Sequence, residues 1–126
     1  MILDTNAVSD FADANQRLLH RLQQPAADIH LPVIVLGEYR YGVKASRLRA
    51  ARESWLDELE SSAIVLAITS ETSRFYADIR HELRVSGQPI PENDIWIASL
   101  ARQHSLPILS NDAHFDHVAG LKRVSW

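Results

Sequence analysis

The chain contains no cysteine. That excludes disulfides, thiolate nucleophiles and cysteine-type zinc sites, and a cytoplasmic protein is the simplest reading. Long hydrophobic runs are also missing. The longest, such as Val33–Leu36 and Ala63–Ile68, have the length of a strand or a turn, far below the roughly 20 apolar residues needed to span a membrane. The apolar opening Met1-Ile2-Leu3 has no basic leader, so no signal peptide and no membrane partner are expected. There is no internal repeat, no low-complexity run and no Gly/Ser linker. Nor is there an excess of positive charge. Lys and Arg number 13 against 16 Asp and Glu, for a net charge of −3, so any nucleic-acid partner needs a local basic patch. A length of 126 residues with 46% hydrophobic content fits one domain over 1–126 and excludes a mainly disordered chain.

What is present alternates. Strands are expected at Ile2-Leu3, Asp28–Leu31, Ala63–Ile68, Leu106–Leu109 and, as a last edge, Arg123–Ser125. Helices are expected between them. Asn15–Gln24 carries Leu18, Leu19 and Leu22 at helical spacing and stops at Pro25. Val33–Ala45 follows, with Pro32 at its entry. Leu48, Ala51, Trp55, Leu56 and Leu59 mark another helix. Thr72–Val85 ends before Gly87, and Asn93–His104 runs through Ile97, Ala98 and Ala101. Such alternation predicts an α/β fold, three layers α/β/α around a mainly parallel sheet, with ligands bound beyond the carboxyl ends of the strands.

Four acids stand where charge is expensive. Asp4 directly follows the first strand. Glu38 has Ile34, Val35, Tyr41 and Gly42 as its helical neighbours, an apolar face. Asp94 has Ile97 and Ala98, and Asp112 follows the Leu106–Leu109 strand after Ser110-Asn111. Each has an ordinary explanation: Asp4 as a turn cap, Glu38 as the partner of Arg40 or Arg80, Asp94 as a helix cap, Asp112 as turn chemistry. Together they suggest another. Carboxylates gathered in a pocket repel one another and resist ionisation, and a divalent cation preferring hard oxygen ligands resolves that conflict. His114 and His117 would suit zinc only with a third ligand, and none of the right kind stands nearby.

MILDTN, LGEYRYG, PENDIWIASLA and LPILSNDAHFDHVAGL occur in that order. Together they resemble a PIN-domain protein of the VapC toxin type across nearly the whole chain. The resemblance implies a small Mg²⁺-dependent endoribonuclease, with Mn²⁺ as the alternative ion, that hydrolyses RNA phosphodiesters as the toxin of a toxin–antitoxin pair. It implies a cognate antitoxin, often feeding a C-terminal peptide into the acidic pocket, and a homodimer. The acidic quartet falls on Asp4, Glu38, Asp94 and Asp112, as metal ligands and catalytic groups. Thr5 and Asn6 match the polar residues that order the site, and Ser110 matches a supporting hydroxyl. Two departures stand out. The helix carrying Glu38 often begins with Ser or Thr in the family, and Pro32-Val33 stands there. The fourth acid is the least uniform position, and Asp116 is an alternative to Asp112.

The basic run Arg40, Lys44, Arg47, Arg49 and Arg52 is the expected contact for an RNA backbone, extended by Arg80 and Arg84; a solvated helix surface explains it equally. Tyr39, Tyr41 and Trp55 suit base stacking, but core or interface packing is favoured. Alternatives are a DNA nuclease of the same fold and a non-catalytic acidic-pocket binding or signalling module. A phosphoacceptor receiver domain fits poorly, since Asp4 stands alone and Lys44 and Lys122 lie away from a late strand end.

Overall fold

In the computed structural model, residues 1–23 and 28–126 are described. Five short strands form one sheet in the order β3-β2-β1-β4-β5: β1 Ile2–Leu3, β2 His30–Pro32, β3 Ile64–Leu66, β4 Ile108–Leu109 and β5 Arg123–Val124. All four pairings are parallel, with Ile2 opposite both His30 and Ile108. The helices are α1 Thr5–Ala12, α2 Gln16–Leu22, α3 Val33–Val43, α4 Arg49–Ser62, α5 Ser70–Ser86 and α6 Glu92–His104. A short 3₁₀ turn covers Ala113–His117.

Strand order explains where a site belongs. The chain builds outward from β1 through β2 to β3, then crosses back to β4 on the other side of β1. Right-handed crossovers in opposite directions put α1–α4 on one face and α5 and α6 on the other. The order therefore reverses between β1 and β4, and a crevice opens beyond their carboxyl ends. The core is apolar side chains on both faces of this sheet. Ile2, Leu3, Leu31, Ile108 and Leu109 are fully buried, packed with Leu18, Leu56, Ile79, Leu100 and Phe115. Burying each such side chain contributes roughly 1.5–3 kcal/mol.

One element lies outside the sequence expectation. TNAVSDFA forms helix α1, for which only a turn cap at Asp4 is anticipated from sequence. It buries Ala7 and Val8, two residues that give little periodic signal. Asn15 caps α2 by accepting from the Arg17 and Leu18 amides; the expected end at Gln24 and Pro25 lies outside the described residues. Helix α5 starts earlier than expected, because Thr69 and Thr72 form a capping box. It ends at Gly87 in the left-handed region, φ 69°, which glycine adopts without strain.

Candidate metal centre

Asp4 lies at the end of β1 and is almost wholly buried, 5% exposed. It caps α1: its Oδ1 accepts from the Ala7 amide at 2.8 Å. Its Oδ2 accepts from the Ser110 hydroxyl, which is fully buried at the end of β4. The same Ser110 oxygen accepts from the Asp112 amide at 2.9 Å, so one serine ties the two strand ends together. Burial raises the Asp4 carboxyl above the usual range; Ser110 and Ala7 oppose that, while the Asp112 and Glu38 charges add to it.

Glu38 sits in the second turn of α3. The Thr5 hydroxyl donates to its Oε1 at 2.9 Å, and neither Arg40 nor Arg80 reaches it. Arg40 is held by Asp57 and Glu60, at 2.9 and 2.6 Å. Arg80 lies 3.6 Å from Glu92. Asp94 stands in the first turn of α6, behind Pro91, and makes no capping hydrogen bond. Burial pushes its carboxyl up to about 6; the Asp112 and Glu38 charges add to the shift and His114 opposes it. Asp112 caps the 3₁₀ turn through the His114 amide at 2.9 Å.

The electrostatic couplings link all four acids: Asp4 with Asp112 and Glu38, Asp94 with the same two. Among the described residues none is paired with Lys or Arg. The His114 Nδ1 lies 3.1 Å from Asp112 and 3.6 Å from Asp94, and the Arg123 guanidinium, bonded to the Ser110 carbonyl at 3.2 Å, feels the Asp112 charge. Ligand atoms of Asp94, Asp112 and His114 all lie within 4.8 Å of one another. That group offers two carboxylates and one imidazole nitrogen, with Asp4 and Glu38 outside it; a divalent cation would relieve the repulsion among the carboxylates. His114 in this contact was missed from the sequence, where only its place after Asp112 hinted at it. Asn6 is exposed on the first turn of α1. Asp116 is engaged elsewhere, with both oxygens accepting from Arg123 at 2.8 Å.

The basic run is less free than its sequence suggests. Beyond Arg40, Lys44 lies 3.7 Å and Arg49 3.1 Å from Glu53, and Arg52 lies 2.6 Å from Asp13. Among the described residues Arg47 alone of the five has no acidic partner. Tyr39 is core and Trp55 packs on it and on Phe11, with ring centroids 5.9 and 5.4 Å apart. Tyr41 is open to solvent, and Trp96 stacks on Tyr76 at 3.9 Å, joining α6 to α5.

Known proteins match this chain in sequence and in fold. The PIN domain family model matches residues 1–121. Ribonuclease VapC5 of Mycobacterium tuberculosis is 34% identical over 94 residues, covering 73% of this chain and 70% of its own. Ribonuclease VapC2 of Haemophilus influenzae is 28% identical over 127 residues, 99% of this chain and 96% of its own. Among solved structures, VapBC2 from Rickettsia felis bound to a DNA fragment from its promoter superposes with a TM-score of 0.87 at 27% identity, covering 99% of this chain and 97% of that one. The chain belongs to the PIN-domain family. Within that family it falls with the VapC proteins. No helix among the described residues is long and apolar enough to cross a membrane.

Proposed function

We propose that this protein is the toxin of a toxin–antitoxin pair, an endoribonuclease that hydrolyses RNA phosphodiesters with a divalent cation held by Asp4, Glu38, Asp94 and Asp112. The observation that carries this reading is the set of four acids at the switch point of the sheet, none of them in an ion pair with Lys or Arg among the described residues. The ion is Mg²⁺, with Mn²⁺ a substitute, because the donors are hard oxygens. When bound, the ion supplies an activated water and offsets charge on the phosphate.

The protein's own residues prepare that chemistry. Ser110 and the Ala7 amide fix both Asp4 oxygens in place. Thr5 holds one oxygen of Glu38 and leaves the other to orient the attacking water. Asp94 and Asp112 close the site from α6 and from the start of the 3₁₀ turn after β4, and His114 bridges them. Asp112 takes the fourth place over Asp116, because Asp116 is committed to Arg123. Asn6 orders the rim. Of the basic run Arg40, Lys44, Arg47, Arg49 and Arg52, Arg47, which has no acidic partner among the described residues, is the main contact for the RNA backbone. The chain is one domain over 1–126, a homodimer that acts in the cytoplasm and is restrained by a cognate antitoxin, as the relatives captured as VapBC complexes suggest.

The test is cleavage of total cellular RNA by the purified chain without partner, in Mg²⁺, in Mn²⁺ and in a chelator, beside Asp94→Asn. Discrete cuts that need the metal and vanish in the variant are expected. Cuts that persist in both the chelator and the variant would refute the reading. Cleavage of DNA alone would move the assignment to a DNA nuclease, and folded protein inert on both substrates would move it to a binding module.

A further inference from the structure

Against the acid group lies a cavity of about 300 Å³ that shares Thr5 and Glu38 as its wall. Asp13, Tyr39 and Arg52 line it as well. Two features there serve no evident purpose in the fold. Tyr39 is 4% exposed, and its hydroxyl has no hydrogen-bond partner among the described residues. The Arg52 guanidinium lies beside that hydroxyl without completing the bond. A buried hydroxyl left unpaired is unfavourable, and a ligand that pairs it recovers the loss. Arg52 meets Asp13 through one nitrogen, Nη1, at 2.6 Å, whereas a guanidinium carries five N–H donors.

We propose that this cavity seats the nucleotide flanking the scissile phosphate, and that Asp13 and Arg52 read its base as guanine. The proposal rests on the ribonuclease reading above. The shared wall makes the cavity adjacent to Glu38, one of the four acids. Two acids and one arginine line it, so it favours a neutral base over a second phosphate. Single-stranded RNA is read in this way, by bases splayed into pockets and bonded along their edges. Asp13 only accepts and Arg52 only donates. Guanine answers both: N1–H and N2–H donate along one edge, and O6 and N7, the acceptors arginine prefers, lie along the next. The Tyr39 hydroxyl, unpaired in the fold, is the third contact.

The test maps cut ends across total cellular RNA in Mg²⁺ for wild type, Asp13→Asn and Tyr39→Phe, with folding checked by circular dichroism. Wild type is expected to show guanine enriched at one fixed position beside the cut. Asp13→Asn should reduce that enrichment on the order of tenfold, while Tyr39→Phe lowers kcat/KM on guanine-flanked oligoribonucleotides and keeps the cut positions. A merely structural perturbation would slow all cuts alike and leave the flanking base unchanged. Inhibition of wild type by guanosine monophosphate, ahead of the other three nucleotides, is a second measurement that needs no variant. Wild-type cuts flanked by another base or by none would overturn the inference and leave the ribonuclease reading intact. An Asp13→Asn protein that keeps the guanine preference, or variants that weaken only the hold on the antitoxin, would also overturn it, the latter result giving the cavity to the protein partner. A folded wild type that cuts no RNA would overturn both.

Discussion

The Ser110 hydroxyl donates to the Asp4 carboxylate, joining residues 106 positions apart. Both sit at strand ends, and both are buried. The bond lowers the Asp4 carboxyl against the upward push of burial, and so keeps it ready to meet a cation. Ser110→Ala removes the donor and leaves a buried carboxylate with one partner fewer. Metal affinity is expected to fall about 10- to 100-fold, the range for lost supporting hydrogen bonds. Stability of the metal-free protein should fall by about 1–3 kcal/mol. Isothermal calorimetry with Mg²⁺ and denaturant unfolding check the two; unchanged affinity would show that Ser110 does not order Asp4.

Asp94→Asn should abolish cleavage and yet stabilise the metal-free protein. The carboxyl is pushed up to about 6, so at pH 8 it is ionised at a cost. Removing the charge should recover on the order of 1–2 kcal/mol. Unfolding of both proteins in chelator measures it, and a less stable variant would contradict the account.

The same group sets a pH dependence. Its folded value lies near 6, above the ordinary 3.8, so the folded state binds the proton more tightly. The stability it contributes is complete below about 4 and is lost as pH rises through 6. Asp4, also raised, acts in the same direction. His30, lowered by burial, acts in the opposite one. The comparison is therefore made against Asp94→Asn. In chelator, the thermal midpoint of wild type should fall relative to the variant between about pH 4 and 6 and hold level above that. Saturating Mg²⁺ should remove that fall. A constant gap across the range would count against the raised carboxyl.

Asp112 and Asp116 are separated by their partners. Asp116 is bonded on both oxygens by Arg123 and is exposed, whereas Asp112 is coupled to Asp4 and Asp94. Asp116→Asn should retain cleavage within a few-fold, and Asp112→Asn should lose at least 100-fold. Turnover on one oligoribonucleotide decides between them, and the reverse result would exchange their roles.

Among the basic residues, pairing predicts who contacts RNA. Arg47→Ala should weaken RNA binding and reduce the slope of log affinity against log salt by about one. Arg40→Ala removes the partner of Asp57 and Glu60 and should chiefly lower stability. Filter binding across a salt series tests the contrast; equal slopes for both variants would refute it.

Much of this protein was legible in its sequence because the signals are local. The apolar, β-branched run Ile64–Leu66 and the helical stripe of Ile97, Ala98 and Ala101 announce their elements in the sequence, and Gly87 marks a helix end because φ 69° suits glycine. Helix α1 was not legible. Its eight residues bury only Ala7 and Val8, and it is held by the Asp4 cap and by packing on α3, neither of which has a periodicity to read.

The sequence by itself determined the alternation of strand and helix, hence the parallel sheet, and it placed four acids on apolar faces or at strand ends, where charge must be compensated. The tertiary structure decided what compensates them. It took Arg40 and Arg80 away from Glu38, gave Arg123 to Asp116, and brought His114 to Asp94 and Asp112. Those choices depend on side chains from distant elements meeting in three dimensions, at a strand-order reversal that no local pattern encodes.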